Sequence, residues 1–265
     1  MLRSMICVVV LVMFAVTAGA AIQTLQVQTG LNVGGSTYSG TESFWMRSGD
    51  GIGVNNSMLR CGYQNWGDGV IDTERSLIRF DALSHWAGVD LGFTASQIVG
   101  ARLTIVTRSG FAGSGVAELR VLGDSDEEWT ESHSTWLLRR NDTVPTQQWA
   151  GGTGAGSNYG SVVDTFAWHP IGGNSMDNWP MVFDIAGDAL NVVKNWVSGN
   201  DTTDSFMLKA QTETGTIDNY LDMRSETDGT ISYRPMLEID YDLTIIPEPA
   251  TMIILALGGL LIRRK

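Results

Sequence analysis

The chain carries 3 histidines, His85, His133 and His169. None of them sits in a His-Glu-x-x-His pair, and the chain has neither a Gly-x-Ser-x-Gly elbow nor a phosphate-binding glycine loop. Two carboxylates could meet across a cleft for glycoside hydrolysis, but a chain with 29 Asp and Glu residues always offers such pairs, so their abundance names no acid. The expectation is a protein without catalysis, the alternative being a small secreted carbohydrate-active enzyme, a polysaccharide lyase or glycoside hydrolase. Binding chemistry is better represented. An exposed indole can stack on the apolar face of a pyranose while neighbouring amides and carboxylates read its hydroxyls. Trp66, Trp168 and Trp179 stand among Gly, Asn, Asp and Pro and are the carbohydrate-binding candidates; the competing reading makes each a lid over the core. Hard oxygens for a structural Ca2+ come from Asp68, Asp72 and Glu74 in a glycine-containing stretch, with Asn200, Asp201 and Asp204 as a second set. Neither set follows the EF-hand pattern, and solvated acidic loops are the competing reading.

Those residues must be positioned by strands. Leu25–Gln28, Ser76–Asp81, Ala101–Thr107, Ala117–Leu122, Met207–Ala210 and Met236–Tyr241 alternate apolar and polar residues, which separates a buried face from a wet one. Turn-forming clusters divide them, so the pattern predicts an all-β fold, an antiparallel β-sandwich of jelly-roll type. One short helix interrupts it. Ala189, Val192, Val193, Trp196 and Val197 recur at helical spacing, with Asp188 as cap and Gly199 as stop. The glycine-rich stretch Gly151–Gly160 predicts a long loop.

Both ends are apolar and predict a signal helix and a C-terminal helix outside the sandwich. Arg3, the apolar run Met5–Val16 and the small residues Ala18-Gly19-Ala20 form a secretory signal cleaved by signal peptidase after Ala20. At the other end Pro247-Glu248-Pro249 precedes an apolar run, Ala250 to Ile262, and then Arg263-Arg264-Lys265. The basic cluster is a cytoplasmic stop, and the run is short of the roughly 20 residues a bilayer needs, which suits a transient hold. This combination resembles the PEP-CTERM tail. The resemblance implies recognition by an exosortase, removal of the tail, and delivery to the cell surface or extracellular matrix of a Gram-negative-type bacterium after transient anchoring in the inner membrane. The domains read as 1–20 signal, 21–246 sandwich and 247–265 sorting tail.

Setting aside Arg3, Glu248, Arg263, Arg264 and Lys265 takes the net charge from −12 to about −15, which excludes nucleic acid as a partner because its phosphates would be repelled. Cys7 leaves with the signal, so Cys61 stays alone and the body forms no internal disulfide. Within the body four segments follow in order: Arg79-Phe80-Asp81-Ala82-Leu83, Gly100-Ala101-Arg102-Leu103, Trp129-Thr130-Glu131 with Ser134-Thr135-Trp136, and Phe183-Asp184-Ile185 leading to Asn195-Trp196. They resemble the DNRLRE domain, related to the family 96 carbohydrate-binding modules, although Ala82-Leu83 and Ala186 depart from that pattern. The resemblance implies a β-sandwich and, in some relatives, polysaccharide binding. Physically, Trp129 and Trp136 read first as buried plates that hold a corner, with a ligand role as the other option. Asp81 and Asp184, each after a Phe at a strand end, read as turn caps before metal ligands.

Overall fold

A computed structural model describes residues 22–49, 57–67, 69–80, 91–122, 129, 134–140, 147–148, 159–169, 176–198 and 205–245. Fifteen strands follow one another in these segments. The first five are β1 (Ile22–Val27), β2 (Asn32–Val33), β3 (Ser36–Thr37), β4 (Thr41–Arg47) and β5 (Leu59–Asn65). Next come β6 (Ile71–Phe80), β7 (Ile98–Ala112), β8 (Gly115–Leu122), β9 (Leu138–Arg140) and β10 (Gln147–Gln148). The last are β11 (Tyr159–Trp168), β12 (Pro180–Ile185), β13 (Phe206–Ala210), β14 (Asn219–Met223) and β15 (Met236–Asp242). One α-helix, α1 (Asp188–Ser198), lies between β12 and β13.

The pairings among the described residues are antiparallel, and the architecture is the expected all-β sandwich. β7 belongs to both of its layers. Its first half, to Val106, lies between β15 and β12, with β1 beyond β15. Its second half, from Thr107, pairs with β14, which leads on to β5, β6, β13, β8 and β11. β6 also has two partners along one side. Gly62–Asn65 of β5 pair with its first residues, and Phe206–Lys209 of β13 pair with the next. Where the ladder changes hands, the Ser76 hydroxyl takes over for backbone: it accepts the Arg60 N–H at 2.8 Å and donates to the Arg60 carbonyl at 2.7 Å.

Between the layers sits the main core. Leu103 and Ile105 of β7, Phe183 of β12, Leu237 and Ile239 of β15 and Leu119 and Leu208 of the second layer are all buried there. Helix α1 turns Val193 and Trp196 into it, Trp196 meeting Phe206 edge-on at 5.4 Å. The second layer has a further apolar cover on its outer face, where Phe44, Met46, Leu77, Leu122 and Met207 pack with Trp129 and Trp136. That explains a difference between strands. β12 alternates exposed and buried residues throughout, whereas all five residues of β13 are buried because both of its faces are covered. Lys209 is among them and is held near Glu118 and Glu213.

Trp129 and Trp136 are both buried, in keeping with the first reading of them as buried plates. The Trp129 indole N–H donates to Ser205 Oγ at 2.7 Å, and the Arg79 guanidinium lies over the ring and donates to the Trp129 carbonyl at 2.9 Å. One expectation needs correcting. Tyr159 and Gly160, assigned to a glycine-rich loop, begin β11, where Tyr159 is drawn in against the outer cluster; residues 151–158 lie outside the described residues. The signal residues Ala18 and Ala20 and the tail residues Pro247, Glu248, Pro249, Arg263, Arg264 and Lys265 also lie outside them. Among the described residues no helix is long and apolar enough to cross a membrane.

Candidate functional site

Four neighbouring strands build a polar row inside the second layer. Cross-strand register aligns Arg47 of β4, Glu74 of β6, Gly62 of β5 and Tyr220 of β14; two residues along, it pairs Trp45 with Ser76 and Arg60 with Asp222, and the Ser76 hydroxyl bonds the Arg60 backbone. Residues facing each other across antiparallel strands share a face, so the set converges. Gly62 makes this possible. Its φ is +133°, and a Cβ there would lie 2.2 Å from the Asn219 carbonyl oxygen, so β5 and β14 approach this closely only at a glycine.

Arg60 is the hub. Its guanidinium bonds both oxygens of Asp222, with the Nη2 to Oδ2 bond at 2.9 Å, and donates through Nη1 to Gln64 at 2.6 Å and Glu74 at 3.4 Å. It also lies 4.3 Å from the Tyr220 ring and 5.2 Å from those of Trp45 and Trp66. Such a forked, stacked cation holds carboxylates in a geometry that a lysine does not reproduce.

Glu74 is 0 % exposed. One carboxylate oxygen accepts from Arg60 and from the Trp66 indole N–H at 3.2 Å, while the other has no hydrogen-bond partner among the described residues. Burial pushes Glu74 up to about 7, against the downward pull of Arg60 and Trp66. That would suit a general acid, but a carboxyl sealed from solvent has no reach to a substrate. Burial also pushes the Cys61 thiol up, which leaves it a small neutral core group.

The three tryptophans singled out in the sequence part company. Trp168 is 1 % exposed and belongs to the main core, where its indole packs so closely on Gly115 that a Cβ there would meet it at 2.5 Å. It is therefore not a sugar platform: the alternation of β11 turns it inward. Trp66 is 42 % exposed, yet its ring is stacked on Trp45 with centroids 6.0 Å apart, and the Arg47 guanidinium lies 4.6 Å from its centroid. Trp179 is 52 % exposed, and its indole makes no hydrogen bond or ring contact among the described residues.

The backbone under Trp179 is fixed. Trp179 N–H closes a turn onto the Met176 carbonyl at 3.2 Å, its carbonyl accepts from Thr107 N–H at 2.9 Å, and Asn178 N–H donates to the Thr107 carbonyl at 3.0 Å. Asn178 holds φ at 62°, the single non-glycine in that region among the described residues. Arg224 secures the turn by donating to Asp177 at 3.0 Å and Asn178 at 2.9 Å, and pairs with Asp228 at 3.0 Å. The backbone beside Trp66 and that beside Trp179 are anchored at different points along β14: Asn65 is tied to Asp218, just before the strand begins, and Thr107 is paired with Met223, where it ends.

Of the calcium candidates, Asp72 and Glu74 are engaged with other partners. Asp72 accepts from Ser48 at 3.0 Å and packs under Gly49, while Glu74 is committed to Arg60 and Trp66, where a divalent cation would face a guanidinium. Asp68, Asn200, Asp201 and Asp204 lie outside the described residues, and among those described no group of three or more His, Cys, Asp or Glu could hold a metal ion. Asp184 is not a turn cap: it lies within β12, and its N–H donates to the Asp164 carboxylate at 2.8 Å. His169 is exposed; His85, His133, Asp81 and Glu131 lie outside the described residues. Sequence reasoning missed Arg60, Asp222 and Arg224 altogether. The available signal was that Arg60, Asp72 and Glu74 stand in strands with few positions left for solvent. Neither the family models nor the curated proteins searched contain a match to this chain.

Proposed function

We propose that the chain is an exported, non-catalytic protein of the bacterial envelope or extracellular matrix whose sandwich binds polysaccharide through exposed indoles. Export and sorting rest on the two ends: the signal ending at Ala20, and the Pro247-Glu248-Pro249 tail with its basic close, an exosortase substrate by resemblance. Binding rests on one observation, the half-exposed indole of Trp179 mounted on a turn pinned by Thr107 and Arg224. A rigid aromatic plate loses little entropy on stacking against a sugar ring, and Asp177 and Asp228 lie close by for hydroxyls. Trp66 is a second, partly covered plate. A non-catalytic role is supported by Glu74, a carboxylate raised by burial to about 7, being shut away beneath Trp66.

The test is binding of the purified full-length chain across a polysaccharide array, with and without calcium. Saturable binding that Trp179→Ala abolishes is the expected result. Silence across the array removes the binding half and leaves a structural surface module. Cleavage of any polysaccharide on the array overturns the non-catalytic assignment.

A further inference from the structure

We propose that Glu74 is a proton-controlled positioning residue for Trp66: its carboxylate form clamps the indole over Arg60, and its acid form releases it. Regulation of ligand binding at Trp66 follows only if the polysaccharide reading holds; the clamp itself does not depend on it.

The geometry concentrates two bonds on one atom. Trp66 has one side-chain donor, and it is spent on Glu74 Oε1, which also takes Arg60 Nη1. A proton on the carboxyl weakens both bonds at once, because each is charge-assisted. The second oxygen has no partner among the described residues, so Oε1 carries all of the carboxylate's hydrogen bonds there. Trp66 opens the connection between β5 and β6, and the N–H groups of Gly67 and Gly69 after it donate to Asn65 Oδ1 at 2.8 and 3.3 Å.

Charged and titratable groups face Glu74 from each packed element. Arg47 opposes it across β4, and Arg60 approaches from β5 together with the neutral Cys61. Asp222 and Tyr220 approach from β14, and Asp72 shares its own strand face. Lys209 of β13 belongs with Glu118 and Glu213 instead. Burial and Asp222 oppose the carboxylate, Arg60 and the Trp66 indole favour it, and the balance lies near neutrality. Glu74 therefore takes up its proton as pH falls through the neutral range.

The experiment follows the tryptophan indole N–H resonances of the full-length chain, 15N-labelled and held in zwitterionic detergent, from pH 5.5 to 8.5. Trp66→Phe identifies the Trp66 resonance by its disappearance. The expected result is that this resonance shifts with a midpoint near 7, that the Trp129 resonance, bonded to the neutral Ser205, stays put, and that Glu74→Gln flattens the Trp66 titration. A Trp66 resonance that does not titrate in the wild type, or that titrates equally in Glu74→Gln, overturns the proposal. Because no sugar is present, a silent polysaccharide array leaves this result untouched. If the array does show binding at Trp66, affinity severalfold weaker at pH 6 than at pH 8, and pH-independent in Glu74→Gln, carries the clamp through to function.

Discussion

Arg60, bonded to Asp222 within β14, and Arg224, just past the end of that strand, use the same chemistry in opposite surroundings. Arg60 joins Asp222, Glu74 and Gln64 under Trp45 and Trp66, with a side chain only 7 % exposed. Arg224 joins Asp177, Asn178 and Asp228 beside Tyr233, with a side chain 20 % exposed. Buried, the arrangement binds its members into a single unit, since removing one partner strands the others away from water. At the surface, the same bonds are cheap to lose and act mainly to set the angle of a turn. The lesson is that an arginine between carboxylates has no fixed worth: depth decides whether it holds the fold or presents a side chain.

The hardest test of that contrast is Arg60→Ala, which leaves Asp222 and Glu74 buried without their cation. A loss of about 3–5 kcal/mol is expected in urea unfolding; a loss of 1 kcal/mol would erase the distinction. Next in size is Glu74→Gln, whose effect depends on pH. Glu74 titrates near 7 when folded, against an ordinary value of 4.5. Below both values it is neutral in the folded and unfolded chain alike. As pH rises from about 4.5 to 7 only the unfolded chain gains by ionising, so this group makes stability fall through that window and levels off above it. Glu74→Gln removes the fall and is expected to stabilise the protein at pH 8 by up to roughly 3 kcal/mol, with little change at pH 4.5, read as the difference between the two unfolding curves. Arg224→Ala is expected to cost about 1 kcal/mol, and 1 M salt should reduce even that while leaving the Arg60 effect nearly intact. Smallest in stability is Trp179→Ala, within about 0.5 kcal/mol of wild type by thermal unfolding, although saturable polysaccharide binding should vanish with it.

Local patterns in the sequence gave much of this away. Met236–Tyr241 and Ala117–Leu122 fall inside β15 and β8, and the spacing from Ala189 to Val197 falls inside α1, because those elements have one face against the core and periodicity reports a one-sided environment. β13 read as an alternating strand and is buried on both sides, because the outer cover comes from Trp129 and Trp136, more than 70 positions away. The Arg60 row was illegible for the same reason. Asp222 is 162 residues from its partner, and no local pattern distinguishes an acid that will meet an arginine from one that will meet water. Tryptophan position was half legible: the loop setting of Trp179 forecast its exposure, but Trp168 shares such a setting and points inward because it closes β11.

β15 lies between β1 and β7, paired on both sides over most of its length, from Met236 to Asp242. A domain held from its C-terminal side and dragged by whatever binds it takes the load lengthwise along this strand. Hydrogen bonds on two flanks then stretch in parallel and must fail together, as in a lap joint glued on both faces, whereas a strand peeled from an edge gives way one bond at a time. A pull applied from the C-terminal side would thus load a strand that is bonded on both flanks.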